Sequence, residues 1–189
     1  CDPVSTSWLT DLPISSTFTS YRVSTNRVSS DHEELARLAI SRLHELGCVS
    51  IGLISNTRDE FFRFYDAFTS IIGELGLKTR DDWVMTPGEA SNGLEAYGYE
   101  SLRTLWQQEQ RPQGLFVYPD TSARGVMTAI LELGVRVPEK LKLVFHSNSG
   151  VNWICPLAVD RVESDVALWA AAMIEQIRRQ KAAETVAPM

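Results

Sequence analysis

Short, wholly apolar segments alternate along this chain with longer stretches in which apolar residues recur every three or four positions. The short segments lack interleaved polar residues, which predicts strands buried on both faces. The longer stretches predict amphipathic helices. Strands of this kind separated by helices form a parallel sheet that is covered on both sides. Because crossovers are right-handed, we predict an α/β fold with a doubly wound parallel sheet.

The individual elements can be placed from their start and stop signals. Ser30 with Glu33, and Thr57 with Glu60, form capping boxes that open helices. The first two helices are predicted to end at glycines, near residues 47 and 76, and further helices are predicted at residues 99–108, 122–133 and 164–181. Strands are predicted at residues 19–23, 49–54, 82–85, 114–118 and 141–145, with a loop at 87–98.

Composition limits the classes of partner. Of 189 residues, 44% are hydrophobic and 22% are charged, as in ordinary globular domains. No apolar stretch approaches the roughly 20 residues that span a bilayer, so we expect no membrane partner. The 18 basic and 24 acidic residues give a net charge of -6, which provides no basic surface for a phosphate backbone. Any contact with DNA is therefore expected from a segment outside this sequence.

The three cysteines, Cys1, Cys48 and Cys155, form neither a Cys-x-x-Cys pair nor a zinc spacing. Reduced thiols in the cytoplasm explain this pattern. A lipoprotein that begins at a lipidated Cys1 is an alternative, and a shortened chain explains the start equally well, since there is no initiator methionine.

Motifs for catalysis are absent from the sequence. Neither a glycine-rich nucleotide loop nor Gly-x-Ser-x-Gly occurs, and His32-Glu33 is followed by Arg37 where a zinc helix needs a second histidine. His32 and His44 are expected on the exposed side of the first helix. We therefore predict no enzyme activity, no cofactor and no metal.

Polar residues follow three of the predicted strands. Ligands of doubly wound sheets bind at the carboxyl ends of the strands. Asp120 stands at such an end, as do Asn56 and the run from His146 to Ser149. Asp120 could alternatively serve only as the N-cap of the following helix.

Several ordered segments over residues 31–177 resemble the effector-binding module of the lac repressor and galactose repressor family. The longest runs through Asp120, Ala123, Gly125, Gly134 and Pro138 without a gap. The segments are "DHEELARLA", "LHELGCVSIGLIS", "AFTSIIGELGL", "RPQGLFVYPDTSARGVMTAILELGVRVPEKLKLVF" and "WICPLAVDRVESDVALWAAAMIEQI".

The resemblance implies a periplasmic-binding-protein-like module of two lobes, of which this chain holds mostly the C-terminal lobe. Residues 31–159 would form that lobe, residues 1–30 would be a remnant of the N-terminal lobe with its crossover, and residues 160–189 would be the returning crossover helix and tail. It further implies a cytoplasmic, homodimeric transcription regulator that binds a small-molecule effector and whose DNA-binding head lies outside the chain. A solute-binding lipoprotein of a transporter is the alternative.

At the ligand site, the resemblance implies a divergent set of contacts. The family's arginine falls at Phe64, one place after Arg63, and Pro119 replaces an asparagine. The stretch "FHSN" stands where the family has Gly-Phe-Asp-Asp, whose first aspartate contacts sugar hydroxyls. The ligand is therefore expected to be something other than a typical sugar, or to bind through a reworked set. The expected ligand-binding residues are Asn56, Arg63, Asp120, His146, Ser147 and Asn148.

An aromatic residue used in dimer packing precedes the family's Pro-Leu segment, and Trp153 occupies a similar place here. Burial in the core is the alternative for a single loop tryptophan. Because aromatic residues anchor many interfaces, we predict that Trp153, together with Met127 on the nearby helix, lies in a homodimer interface.

Overall fold

The computed structural model describes residue 28 and residues 31–55, 64–86 and 93–181. The chain divides into two compact units. The larger unit is His32–Ser164, and the smaller one combines Cys1–Asp31 with Asp165–Met189. In the smaller unit the described structure is mainly one helix, Val166–Lys181, whose first turn is capped by Asp165 through bonds from the backbone N–H groups of Ala167 and Leu168.

Five parallel strands form the sheet of the larger unit. They are β1 (Ile51–Ser55), β2 (Val84–Met85), β3 (Gly114–Tyr118), β4 (Lys142–Asn148) and β5 (Asp160–Ser164), in the spatial order β2-β1-β3-β4-β5. The chain runs outward from β1 to β2 and then returns to the other side of β1, so the order reverses between β1 and β3. The predicted doubly wound parallel sheet is confirmed.

Four helices cover the two faces of this sheet: α1 (His32–Glu45), α2 (Phe64–Glu74), α3 (Leu94–Gln107) and α4 (Asp120–Leu133). The remaining helix, Val166–Lys181, is α5. Each face of the sheet has its own hydrophobic core, and successive residues of β3 belong to opposite cores. Phe116 packs with α1 and α2, whereas Leu115 and Val117 pack with α3 and α4. All three side chains are fully buried, and each apolar side chain of this size stabilises the fold by about 1.5–3 kcal/mol.

Helices α3 and α4 approach each other through two glycines. A Cβ atom on Gly125 would overlap the carbonyl oxygen of Glu95, and one on Gly98 would overlap that of Ser122. The glycines therefore serve packing between helix backbones. The predicted loop at 87–98 is wrong from residue 94 onward, because Gly98 lies inside α3.

The two strands at one side of the sheet, β4 and β5, also differ from the prediction. Strand β4 continues to Asn148, so residues 146–148 are part of the strand rather than a loop after it. Strand β5 was not predicted. Only Val162 of that strand is buried, because β5 is the edge of the sheet and gives no apolar run. The predicted strand at residues 19–23 and the second capping box lie outside the described residues.

Candidate functional site

The carboxyl ends of β1, β3 and β4 lie side by side along one edge of the sheet. Ser55 is in register with Tyr118, and Val117 with Phe145, which places Tyr118 next to His146. Strand β5 extends this edge, because Asn148 is in register with Ser164. We call these strand ends, with the first residue of α4, the rim; its residues are Ser55, Tyr118, Pro119, Asp120, His146, Ser147, Asn148 and Ser149.

Aromatic rings fill the space beneath the rim on the α1–α2 face. Tyr118 stacks on Phe64 with ring centroids 5.1 Å apart, and it packs against His146 at 4.7 Å. On another side, Nε2 of His32 is hydrogen-bonded to the Tyr118 hydroxyl at 3.2 Å. Tyr118 is therefore held from three directions, which fixes the end of β3 where α4 begins.

His146 is buried, with only 4% of its surface exposed. Its Nε2 lies 3.0 Å from Oγ of Ser164, whereas its Nδ1 is buried and has no hydrogen-bond partner within the described part of the chain. Burial lowers the pKa of His146 to about 4, against an opposing effect of Asp120 and with a further lowering by His32. The imidazole is therefore neutral at physiological pH, and its contact with Ser164 is a hydrogen bond between uncharged groups.

The Tyr118 hydroxyl is also kept in its neutral form. Burial raises the pKa of Tyr118, and the nearby carboxylate of Asp120 raises it further. At the rim, the side chains of Tyr118 and His146 thus present an uncharged phenol and an uncharged imidazole beside the carboxylate of Asp120.

Asp120 is the first residue of α4, and Pro119 takes the N-cap position with φ -83° and ψ -171°. Because Pro119 occupies the N-cap and Asp120 is already the first helical residue, the interpretation of Asp120 as the N-cap is wrong. In the first turn, its carboxylate still interacts favourably with the positive end of the helix dipole. Its Oδ1 accepts a long bond of 3.4 Å from Oγ1 of Thr121. The half-buried carboxylate is thus in a position to accept hydrogen bonds from a ligand.

The other expected ligand-binding residues differ in burial and in their hydrogen bonds. Asn148 is half-buried at the end of β4. Ser147 is buried, and its hydroxyl donates to Oε1 of Glu163 at 3.3 Å. Asn56 and Arg63 lie outside the described residues. Asp120 and Asn148 are therefore partly exposed, whereas His146 and Ser147 are buried and bonded to residues of the neighbouring strand β5.

Two residues of this region were not expected to contribute. His32 was predicted to be exposed, but only 8% of its surface is accessible because its ring packs on Tyr118 and Phe64. The helical spacing of the sequence indicates this burial. His32 precedes Leu35 and Ala36 by three and four positions, which places all three on the same buried face of α1. Ser164 ends β5, the strand that was not predicted.

Neither Trp153 nor Met127 is one of the rim residues. The Trp153 ring is half-buried and stacks on Phe145 with centroids 5.9 Å apart, while the guanidinium of Arg161 lies 4.8 Å from the ring centre. Met127 is half-buried on α4.

Neither a metal site nor a membrane span occurs among the described residues. They contain no group of three or more histidine, cysteine or acidic side chains arranged to hold a metal ion. None of the helices in the described ranges is both long and apolar enough to cross a bilayer.

Comparison with known proteins gives a consistent result. The family described as "periplasmic binding protein-like domain" matches residues 40–188. The HTH-type transcriptional repressor PurR of Pasteurella multocida is 34% identical over 121 residues, covering 62% of this chain and 35% of that protein. Catabolite control protein A of Priestia megaterium is 26% identical over 132 residues, covering 67% of this chain and 39% of that protein.

Solved structures agree on the fold. A LacI transcriptional regulator from a Rhodococcus species superimposes with a TM-score of 0.79 at 21% identity, covering all of this chain and 70% of that one. The transcriptional repressor AscG of Escherichia coli gives a TM-score of 0.68 at 19% identity, covering 86% of this chain and 59% of that one. The resemblance to this class of regulator is confirmed, and PurR and AscG are transcriptional repressors. The chain spans little more than a third of the length of these two curated relatives.

Proposed function

Because this chain belongs to the periplasmic binding protein-like domain family, we propose that it is the effector-binding part of a transcriptional regulator of the LacI type. The observation that carries the proposal is the placement of the rim at the point where the strand order reverses, which is where doubly wound sheets bind their ligands. The half-buried carboxylate of Asp120, the residue after the N-cap, supplies an acceptor there.

The effector is a small molecule with hydrogen-bond donors. Asp120 accepts from it, and the amide of Asn148 both donates and accepts. His146 and Ser147 shape the floor and contact the ligand only where it reaches between the strand ends. Asn56 and Arg63, which follow β1 in sequence, complete the proposed set. The ligand belongs to the sugars or to other small metabolites.

Transmission to DNA follows from differential affinity. An effector that binds one arrangement of the whole regulator better than another shifts the population toward the first. Since the net charge is -6, the proposed DNA contact is made by a segment that is not part of this sequence. A regulator of this kind works in the cytoplasm.

A homodimer is part of the same proposal. Trp153 and Met127 are its proposed contacts. Ile154, next to Trp153, is 89% exposed, and Leu131, one helical turn after Met127, is 54% exposed. Apolar residues at this level of exposure are consistent with a surface that a second copy covers.

Calorimetric titration of the full chain with a panel of monosaccharides, disaccharides and purine bases tests the ligand site. For a compound that binds, Asp120→Asn is expected to weaken affinity about 10- to 100-fold, the range for loss of a hydrogen bond to a charged group. Asp81→Asn makes the same chemical change at an exposed aspartate just before β2 and is expected to leave affinity unchanged. Equal affinity of wild type and Asp120→Asn for every binding compound would contradict the site.

A further inference from the structure

His32 and Ser164 are the first and last residues of the larger unit, so the chain continues from each of them into the smaller unit. They are far apart in sequence, yet the same group of side chains holds both. His32 is bonded to Tyr118, Tyr118 packs against His146, and His146 is bonded to Ser164. We call His32, Tyr118, His146 and Ser164 the row.

The row runs beneath the proposed ligand site. Tyr118 precedes Pro119 and Asp120 at the rim, and His146 precedes Ser147 and Asn148. Of the two central members, His146 belongs to the proposed ligand-binding set and Tyr118 lies two residues before Asp120. The two outer members are the residues at which the chain leaves the unit.

The bonding of the row leaves one polar atom unused. Nδ1 of His146 is buried and without a partner in the described residues, which is a costly state for a hydrogen-bonding atom. A change at the rim that moves the end of β4 or supplies a partner to this atom alters the position of the ring. Because the ring contacts Tyr118 on one side and Ser164 on the other, such a movement reaches both outer members.

We call residues 31–35 and 163–168, where the chain passes from one unit to the other, the crossings. We propose that the row connects the rim to both crossings, so that binding of a ligand at the rim changes how well ordered the backbone is at each of them. Tyr118, His146, His32 and Ser164 act as positioning residues in this scheme. The inference rests on the proposed effector site, and it adds the route by which that site acts on the rest of the molecule.

Hydrogen–deuterium exchange of the full chain without ligand tests the row directly. Tyr118→Phe removes the hydroxyl bonded to His32 and keeps the ring. Its expected effect is an increase in exchange of about tenfold at both crossings, the order expected for loss of one buried hydrogen bond. Ser164→Ala is expected to act on both crossings in the same way, because it releases His146 from the other end.

Two control variants separate coupling from general loosening. Ser164→Thr, unlike Ser164→Ala, keeps the hydroxyl, and both crossings are expected to exchange at the wild-type rate in this variant. Thr69→Val removes a hydroxyl that is bonded to a backbone oxygen within α2 and is expected to leave both crossings unchanged. If Tyr118→Phe affects only residues 31–35 and Ser164→Ala only residues 163–168, the row does not couple the crossings and the proposal is overturned.

A second arm adds a compound that binds in the calorimetric panel. In wild type, it is expected to change exchange at both crossings. Ser164→Ala, at a residue outside the rim, is expected to bind the compound within about threefold of wild type and to lose most of the exchange response, whereas a full response would overturn the proposal. If no compound of the panel binds, the proposed effector class fails, while the ligand-free measurements still decide whether the row exists.

Discussion

Nε2 of His146 lies 3.0 Å from Oγ of Ser164, and this bond joins β4 to the last residue of the edge strand β5. Both residues lie on strands that run in parallel register, with Asn148 opposite Ser164. The bond, together with the contact of His146 with Tyr118, makes the end of β4 the meeting point of three strands. A neutral histidine is suited to this place, because a charged one would be buried beside apolar rings.

The buried state of His146 predicts a pH dependence of stability. Its pKa is lowered to about 4 in the folded chain from the ordinary histidine value of 6.5, so the unfolded chain binds more protons between these values. The free energy of unfolding is therefore unaffected by this group above about pH 6.5 and decreases as the pH falls toward 4. The decrease is at most about 1.4 kcal/mol per pH unit.

Urea unfolding of wild type and His146→Asn between pH 4 and 7 measures this contribution. The difference in unfolding free energy between the two is expected to shrink as the pH falls. Leu143→Ala, a buried change without a titrating group on the same strand, is expected to give a constant difference. A His146→Asn difference that stays constant would contradict the buried neutral state.

The contact between α3 and α4 predicts a large effect of one methyl group. Gly125→Ala is expected to lower the unfolding free energy by about 1–3 kcal/mol, because its Cβ would overlap the backbone of α3. Gly73→Ala places the same methyl group on α2, where no atom lies within 4 Å, and is expected to stabilise by up to about 1 kcal/mol. Chemical denaturation measures both, and equal effects would refute the close helix contact.

The proposed dimer predicts a response to changes at its surface. Ile154→Glu places a charge on a side chain that is 89% exposed and leaves the stacking of Trp153 on Phe145 in place. Both Ile154→Glu and Trp153→Ala are expected to shift the chain from dimer to monomer in sedimentation velocity. Leu38→Glu makes a similar change on an exposed leucine of α1 and is expected to leave the dimer intact. A dimer unchanged by Trp153→Ala would exclude this interface.

The ion pair between Arg42 of α1 and Asp160 of β5 predicts a small effect despite its 3.0 Å distance. Both side chains are about 40% exposed or more, and Arg42 also pairs with Glu45. Solvent screening limits such pairs to about 0–1 kcal/mol. Asp160→Asn is therefore expected to change the unfolding free energy by less than about 1 kcal/mol, and a loss above about 2 kcal/mol would show that the pair is a main anchor of the edge strand.

The core of the fold was predictable because its strands are apolar throughout. Strand β3 is predicted at its observed bounds, since five apolar or small residues lie between a glutamine and a proline. The glycines at which α1 and α4 end, Gly47 and Gly134, have φ of 83° and 61°, a conformation that only glycine adopts readily. Strand β5 carried no such signal, because it is held by pairing with β4 and buries only Val162.

The sequence alone determined the alternation of strands and helices, the parallel sheet and the residues at the strand ends. Burial on two faces and helical periodicity can both be recognised from residues that are close together in the sequence. Tertiary structure decided which of these residues are buried and which stay partly exposed at the rim. It brought His32 over Tyr118 and Ser164 against His146, and it placed Asp120 one residue after the N-cap. Such contacts depend on strand register and on the angle at which helices cross the sheet, and neither is encoded by the spacing of residues along one segment.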